Sequence, residues 1–303
     1  MKGCKCNVGL SNTGRPGCVP IFGVTSSLIL VPLKDSTGAK NGIDLSVALP
    51  TWSDLINQAD VSKRWFPLPK FENVELPKAD SLFEEANSGR QVFLRQGKRS
   101  FAGELWAEDS TPTFLGKLRT AGCVDFGVYI VDVEGNLSGS EVDGYLYPIE
   151  VDNASFDPKF AFATDSTTQK IMLGFDFARL FDESTMYMIT ATEAAQDFTE
   201  LEGLIDVNIN NLASSATVAT FDATFDYGTA VNKSLYKGAT DTADWEIENV
   251  TQSLTFAPDS VTEATDGNYS LDFSVGGTVT LGDTVKVVVK KAGFSGNASV
   301  VTA

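Results

Sequence analysis

The sequence predicts a mainly β protein that folds as two domains. The chain has 303 residues, longer than one small domain, and 43% of them are hydrophobic, enough to fill two cores. Short runs with strand patterns recur along the chain, whereas helix signals are confined to two short segments. Near residue 200 the composition changes and threonine, serine, alanine and valine become frequent. We therefore expect one domain over residues 1–203 and a second over 204–303.

Three segments of the first domain have the pattern of buried strands. "SSLILVPL" (26–33) is rich in apolar residues, and "KIMLGFDF" (170–177) places apolar side chains at every second position. "CVDFGVYIVDV" (123–133) is apolar on both faces, with Val128 and Ile130 on one and Tyr129 and Val131 on the other. A strand of that kind is buried on both sides, inside a sandwich or at an interface. We expect a β-sandwich or barrel with a flanking helix.

Two short segments carry helix signals. Asp80 is a suitable N-cap for a helix through "SLFEEANSG", which would end at Gly89. The stronger signal lies in "STPTFLGKLRTAG", where Ser110 or Thr111 precedes a proline of the first turn and Gly122 follows the last turn. The second segment is predicted to be the flanking helix.

Residues 34–78 form a long irregular segment with four prolines. Segments of this length without regular structure are uncommon in compact domains and are usually functional or ordered by a partner. Trp65, Phe66 and Phe71 within it are apolar anchors that need a packing surface. That surface is either their own domain or a neighbouring subunit, and the second alternative makes Trp65 and Phe66 candidate contacts between subunits.

Residues 90–106 alternate like a β-hairpin around Gln96-Gly97. The segment also carries the basic patch of an otherwise acidic chain, formed by Arg90, Arg95, Lys98 and Arg99. Such a patch is either a solvated face or a docking surface for an acidic patch on another copy of the chain. We predict the docking role for these four residues.

The last hundred residues contain about seven short strands at intervals of eight to twelve residues. In "NYSLDFSV", Tyr269, Leu271, Phe273 and Val275 alternate with polar residues, which predicts one buried and one exposed face. With Trp245 as a core aromatic, the pattern predicts an immunoglobulin-like β-sandwich. No cysteine follows residue 200, so no disulfide could join the two sheets, as is usual in a reducing compartment.

The composition argues against most kinds of enzyme. Histidine is absent, which removes the commonest general base and the commonest metal ligand. No phosphate-binding glycine loop and no nucleophile elbow occurs. Paired carboxylates could still catalyse glycoside hydrolysis, but no acidic pair lies in an aromatic cleft motif. We predict a protein that is not an enzyme and binds no cofactor.

Two candidate metal sites have simpler interpretations. Cys4, Cys6, Cys18 and Cys123 do not have the spacing of a zinc knuckle, and reduced thiols are the expected state. The loop from Asp132 alternates oxygen-bearing side chains like a calcium site, but its glycine is at the fourth position and not the sixth. A strand that ends at Asp132, a turn, and a strand that resumes at Leu137 explains the loop without an ion.

Three segments together resemble the tail tube proteins of bacteriophages: "SLFEEANSGRQVFLRQGKRSFAGELW", "TFLGKLRTAGCVDFGVYIVDVEGNLSG" and "YLYPIEVDNASFDPKFAFATDSTTQKIMLGFDF". The resemblance covers roughly residues 20–190. It implies a β subunit with one flanking helix, six copies of which would form a ring with a continuous inner barrel. The rings would stack into a tube, with long loops bridging subunits. Some relatives carry an added immunoglobulin-like domain outside the tube.

These expectations lead to a structural role in a virion. The partners would be further copies of the chain, other tail proteins, and genomic DNA that passes without specific binding, since the net charge of −17 repels phosphate. The apolar run 19–33 is too short and broken to insert into a membrane, and assembly is expected in the cytoplasm of a host bacterium. The alternatives are another virion part (connector, ring or head-decoration protein) and a β module that binds a surface or a glycan.

Overall fold

The computed structural model describes residues 21–85, 87–106, 109–228 and 233–302. Strands hold 46% of the described residues and helices 13%, which confirms the mainly β class. The chain divides into two compact units, Met1–Glu202 and Gly203–Ala303, one residue before the expected boundary. Cys4, Cys6 and Cys18 lie outside the described residues.

The described part of the first unit contains fourteen strands and three helices. The helices are α1 (Trp52–Ile56), α2 (Pro112–Ala121) and α3 (Ala191–Ala194). The strands are β1 (Thr25–Pro32), β2 (Ile43–Asp44), β3 (Phe66–Pro67), β4 (Glu72–Glu75), β5 (Leu82–Glu85), β6 (Gln91–Arg95), β7 (Ser100–Trp106), β8 (Phe126–Asp132), β9 (Leu137–Val142), β10 (Tyr145–Tyr147), β11 (Ile149–Glu150), β12 (Asp157–Ala161), β13 (Lys170–Asp176) and β14 (Met186–Ile189).

Two sheets of this unit share one hydrophobic core. The eight-stranded sheet has the order β2-β10-β9-β8-β1-β3, with β11 on β8 and β14 on β9, and the four-stranded sheet has the order β12-β13-β7-β4. The core between them contains Leu28 and Val128 from the first sheet and Phe101, Leu105 and Leu173 from the second. Leu115 and Leu118 of α2 pack into the same core. This arrangement gives α2 the flanking position expected from the sequence.

Helix α2 has the capping that the sequence predicts. The Thr111 hydroxyl accepts a hydrogen bond from the Phe114 backbone N–H at 3.2 Å, and Pro112 occupies the first turn, where no N–H partner is needed. Gly122 follows the last turn. The predicted helix is therefore confirmed at both ends.

Strand β8 is buried on both faces, and its own chain covers both. One face lies in the shared core, whereas Tyr129 on the other contacts Trp65 with ring centroids 4.9 Å apart. Trp52 of α1 contacts Trp65 at 5.8 Å and Phe198 at 4.7 Å, which extends this second cluster. The long segment and the two-sided strand, for which packing within the domain and packing between subunits were the alternatives, contact each other here through the rings of Trp65 and Tyr129.

The structure contradicts both sequence expectations for residues 80–106. Residues 82–85 form strand β5 and no helix, and β6 pairs with β5 and not with β7. The turn lies between β5 and β6 near Gly89, which has a φ of +77°, while Gln96-Gly97 lies within one leg of the ribbon. Pairing between Phe83 and Phe93 outweighs the local capping signal of Asp80.

The second unit contains ten strands in its described part. They are β15 (Ile205–Ser214), β16 (Val218–Gly228), β17 (Lys233–Leu235), β18 (Trp245–Asn249), β19 (Leu254–Phe256), β20 (Ser260–Thr265), β21 (Asn268–Asp272), β22 (Thr284–Val289), β23 (Phe294–Ser295) and β24 (Asn297–Val301). One sheet has the order β20-β21-β16-β15-β23 with β17 on β16, and the other has the order β19-β18-β22-β24.

The two sheets of this unit enclose a core of their own around Trp245. Its ring contacts Phe221 and Tyr269 from the opposite sheet at 5.0 Å each, and its indole N–H donates to the Ala239 carbonyl at 2.7 Å. Tyr269, Leu271 and Phe273 are fully buried, as their alternation predicts. Val275 is 89% exposed because β21 ends at Asp272, so its predicted position in the core was wrong.

Candidate assembly interface: an exposed β-ribbon

A long two-stranded ribbon extends from the four-stranded sheet. Pairing runs from Glu72 with Glu104, through a bridge between Lys78 and Arg99, to Glu85 with Gln91 at the tip. Strands β4 and β5 thus form one leg, and β6 and β7 form the other. Ten residues separate Glu75 from Glu85, so the ribbon projects about 30 Å beyond the sheet at about 3.3 Å per residue. We call its outer part, β5, β6 and their turn, the arm.

Among the described residues of the first unit, the arm is the most exposed regular structure. Strands β5 and β6 pair only with each other, and all their residues are exposed. The apolar ones range from Leu94, 43% exposed, to Phe83, 52% exposed. Phe83 and Phe93 lie on one face with ring centroids 5.6 Å apart, and Val92 and Leu94 lie on the other.

An exposed ribbon with apolar side chains on both faces is an unusual surface feature of a folded domain. A two-stranded hairpin is marginally stable in water by itself, and its unpaired edges are ready to pair with another chain. Exposed apolar patches of this kind mark interaction sites. The arm is therefore the candidate functional site. Its apolar side chains and unpaired strand edges are suited to binding the surface of another protein.

The four basic residues predicted to dock belong to two different parts of the ribbon. Arg90 and Arg95 lie on the arm and are exposed; neither side chain makes an ion pair with another described residue. Lys98 and Arg99 lie between the arm and β7 and pair with carboxylates of their own unit. Lys98 Nζ lies 2.9 Å from Asp152 Oδ2 and 3.2 Å from Asp176 Oδ2.

Arg99 is held more tightly than Lys98. Its Nε donates to Glu183 Oε1 at 2.7 Å, and its Nη1 donates to the Leu76 carbonyl at 2.7 Å. The hydrogen bonds from Arg99 and Lys78 lower the pKa of Glu183, and the hydrogen bonds to Asp152 and Asp176 raise the pKa of Lys98. Lys98 and Arg99 are thus engaged within the subunit, whereas Arg90 and Arg95 point to solvent.

Trp65 and Phe66 also lie in different environments. Trp65 is buried against Tyr129, so it packs on its own domain, the first of the two alternatives. Phe66 of β3 pairs with Leu30 and is half-buried beside the shared core. A contact of Phe66 with a neighbouring subunit stays a prediction.

The four-stranded sheet presents its second face to solvent. Ala102 and Trp106 of β7 and Met172 of β13 point outward, and the carboxylates of Glu72, Glu75, Glu104 and Asp157 surround them. Lys159 pairs with Asp157, and Lys170 pairs with Glu104. The outer strands β4 and β12 each leave one edge without a partner strand among the described residues. This open face is acidic and, among the described residues, is bounded by two free edges.

The loop from Asp132 is a turn held by its own carboxylate, as the simpler interpretation predicts. Asp132 Oδ1 accepts from the N–H groups of Glu134 and Asn136 at 3.1 and 2.8 Å. Its Oδ2 accepts from Gly23 N–H and from Asn136 Nδ2. Strand β8 ends at Asp132 and β9 begins at Leu137. No group of three ligating side chains suited to a metal occurs among the described residues.

Sequence reasoning missed Phe83 and Phe93 as functional candidates. Two short runs, "LFEE" and "QVFLR", flank Asn87-Ser88-Gly89, which is a hairpin signal.

No helix among the described residues has the length and apolar character needed to cross a bilayer. No protein-family model matches the chain, and no curated protein matches it significantly.

Proposed function

We propose that this chain is a structural subunit of a bacteriophage tail tube, which self-assembles into stacked rings that conduct DNA during ejection. The observation that carries self-assembly is the arm, a ribbon whose apolar side chains are exposed on both faces and whose strands pair with no other described strand. The resemblance of residues 20–190 to tail tube proteins specifies the kind of assembly. The tube belongs to the virion and forms in the bacterial cytoplasm.

The open face of the four-stranded sheet supports a ring with an acidic channel. Its free edges β4 and β12 can pair with β12 and β4 of neighbouring copies, which would close these sheets into one barrel and remove both edges of each four-stranded sheet. The open face would then line the channel. Its four carboxylates outnumber its two lysines, so the phosphates of passing DNA would find little to bind.

We infer an immunoglobulin-like fold for the second unit, which would decorate the outside of the tube. The support is its strand order: β15, β16, β21 and β20 correspond to A, B, E and D, and β18, β22 and β24 correspond to C, F and G. The buried Trp245 then lies on strand C, as in that fold. Strand β23 pairs in parallel with the start of β15, which links the last strands to the first.

Electron microscopy of the purified protein tests the proposal. We expect rings or tubes with a central channel for the wild-type chain. The double variant Phe83→Ser/Phe93→Ser should stay monomeric and folded, because it removes the apolar surface of one arm face. Val275→Ser, which changes an even more exposed apolar side chain of the second unit (89% exposed, against 52% for Phe83 and 44% for Phe93), is the control and should assemble normally.

Other outcomes would point elsewhere. A single ring or a trimer that does not stack would indicate a connector or decoration protein. A wild-type chain that remains a compact monomer at high concentration would overturn self-assembly altogether.

A further inference from the structure

Three cations at the base of the arm are all paired with carboxylates outside the ribbon. The cations are Lys78 from one leg and Lys98 and Arg99 from the other. Their partners are Asp152, Asp176 and Glu183, which follow β11, end β13 and begin the turn before β14. We call these six residues the root clamp.

The root clamp joins both legs of the ribbon to the body of the unit. Glu183 accepts from Arg99 at 2.7 Å with one oxygen and from Lys78 at 2.9 Å with the other, so a single carboxylate holds the two legs together. Asp176 accepts from Lys98 and also from the Ser100 hydroxyl at 2.7 Å. The clamp thus constrains the ribbon from two sides.

The clamp is better suited to orienting the arm than to stabilising the fold. The paired side chains are between 30% and 38% exposed, and exposed ion pairs contribute little to folding free energy. Orientation is different, because beyond the clamp strands β5 and β6 pair with no other strand among the described residues. Seven residues separate Lys78 from Glu85, about 23 Å of strand, so a rotation of about 10° at the clamp would move the tip by about 4 Å, more than the length of a hydrogen bond.

We propose that the root clamp is a positioning device that sets the direction of the arm before a second copy is met. The consequence for assembly rests on the proposed function. The direction of the arm, in contrast, is a property of the single subunit. Lys98 and Arg99 are then positioning residues, and Arg90, Arg95 and the apolar side chains of the arm make the contact.

The direction of the arm can be measured by double electron–electron resonance with spin labels on Ser88→Cys at the tip and on the native, exposed Cys123 of the body. Cys4, Cys6 and Cys18 are changed to serine, and labelled protein is diluted into unlabelled protein so that only distances within one subunit are read. The test variant is Lys98→Gln/Glu183→Gln. The matched control is Lys286→Gln/Glu248→Gln, which breaks an ion pair of 2.9 Å and similar exposure in the second unit.

We expect one narrow distance distribution for the wild type and for the control. The double variant should show a distribution about twofold wider, and salt at about 1 M, which shortens the screening length to about 3 Å, should widen the wild-type distribution in the same way. The thermal midpoint of the variant should stay within a few degrees of the wild type, while its assembly slows by about tenfold or more.

An unchanged distribution in the double variant would overturn the clamp, whatever happens to assembly. A narrow wild-type distribution that widens in the variant, in a chain that forms no rings or tubes, would keep the clamp and overturn the proposed function. The two failures are therefore distinguishable.

Discussion

At the scale of single residues, two tyrosines in the core of the second unit differ in how their hydroxyls are satisfied. The Tyr269 hydroxyl donates to the Tyr236 carbonyl at 3.1 Å and accepts from the Ala239 N–H at 3.3 Å. The Tyr236 hydroxyl is equally buried but finds no hydrogen-bond partner among the described residues. Burial raises the pKa of Tyr269 to about 12 and raises the pKa of Tyr236 further, so both stay protonated.

We predict opposite outcomes for removing these two hydroxyls. Tyr236→Phe should leave the free energy of unfolding unchanged or slightly higher, because the lost group has no partner to leave behind. Tyr269→Phe should lower it by about 1–2 kcal/mol, because a buried N–H and carbonyl lose their partner. Urea unfolding followed by tryptophan fluorescence measures both, and an equal loss in the two variants would contradict the assignment.

Asp283 is a second residue whose surroundings determine its role. Its Oδ2 accepts from the Thr280 N–H, the Asn249 amide and the Gln252 amide at 2.8–2.9 Å, where β22 begins. These hydrogen bonds, the Thr280 backbone N–H first, lower the pKa of Asp283. The ionised carboxylate therefore stabilises the second unit above the ordinary pKa of aspartate, and this contribution is lost as the pH falls through the lowered value.

The expected pH dependence of stability follows from the lowered pKa of Asp283. Asp283→Asn should lower the thermal midpoint of the second unit most at neutral pH, and the difference from wild type should shrink only as the pH falls below the ordinary pKa of aspartate, about 3.9, towards the lowered pKa of the folded state. Calorimetry across this range measures the difference. A constant difference would show that the charge of Asp283 is not the cause, and Asp259→Asn, at an exposed turn, is the matched control.

At the scale of elements, the base of the ribbon depends on one glycine. Ala79 donates its N–H to the Lys98 carbonyl at 2.8 Å, and a Cβ built at Gly97 would overlap the carbonyl oxygen of Ala79. The legs can approach this closely only because position 97 has no side chain. Gly116 in α2 is exposed, and a Cβ there would meet nothing within 4 Å.

Alanine at these two glycines should therefore have opposite effects. Gly97→Ala should destabilise the first unit by about 1–3 kcal/mol, because backbone atoms must move apart. Gly116→Ala should stabilise it by about 0.5–1 kcal/mol through helix propensity. Chemical unfolding of both variants is the measurement, and a neutral Gly97→Ala would show that the legs can separate at no cost.

Elements with local signals could be predicted and those with distant partners could not. Helix α2 is specified by Thr111, Pro112 and Gly122, all within the helix or next to it. The segment from Asp80 carries a similar cap, but its conformation depends on pairing with β6 and on the continuation of β4. Cross-strand pairs of this kind leave only a weak trace in a single sequence.

At the scale of the whole molecule, the mainly β fold class follows from the periodicity of apolar residues in the sequence, and the division into two units follows from the change in composition. The partners of exposed groups did not follow from the sequence. The patch of Arg90, Arg95, Lys98 and Arg99 is continuous in sequence, yet the structure divides it into arm and root, because Asp152, Asp176 and Glu183 come from distant positions. Likewise, the anchors of the long segment find β8 in their own unit, a contact that only the folded chain creates.

The continuity of the ribbon with the four-stranded sheet has a mechanical consequence. A pull on the tip, directed along the arm, would pass through β6 directly into β7, which is joined to β13 by seven paired residues from Ser100 to Trp106. Because the force acts along the strands, these hydrogen bonds would be loaded in shear and share the tension, whereas a force across the strands would open them one after another. A joint between copies made through this arm would therefore transmit tension along the strands, the direction in which the paired hydrogen bonds resist force together.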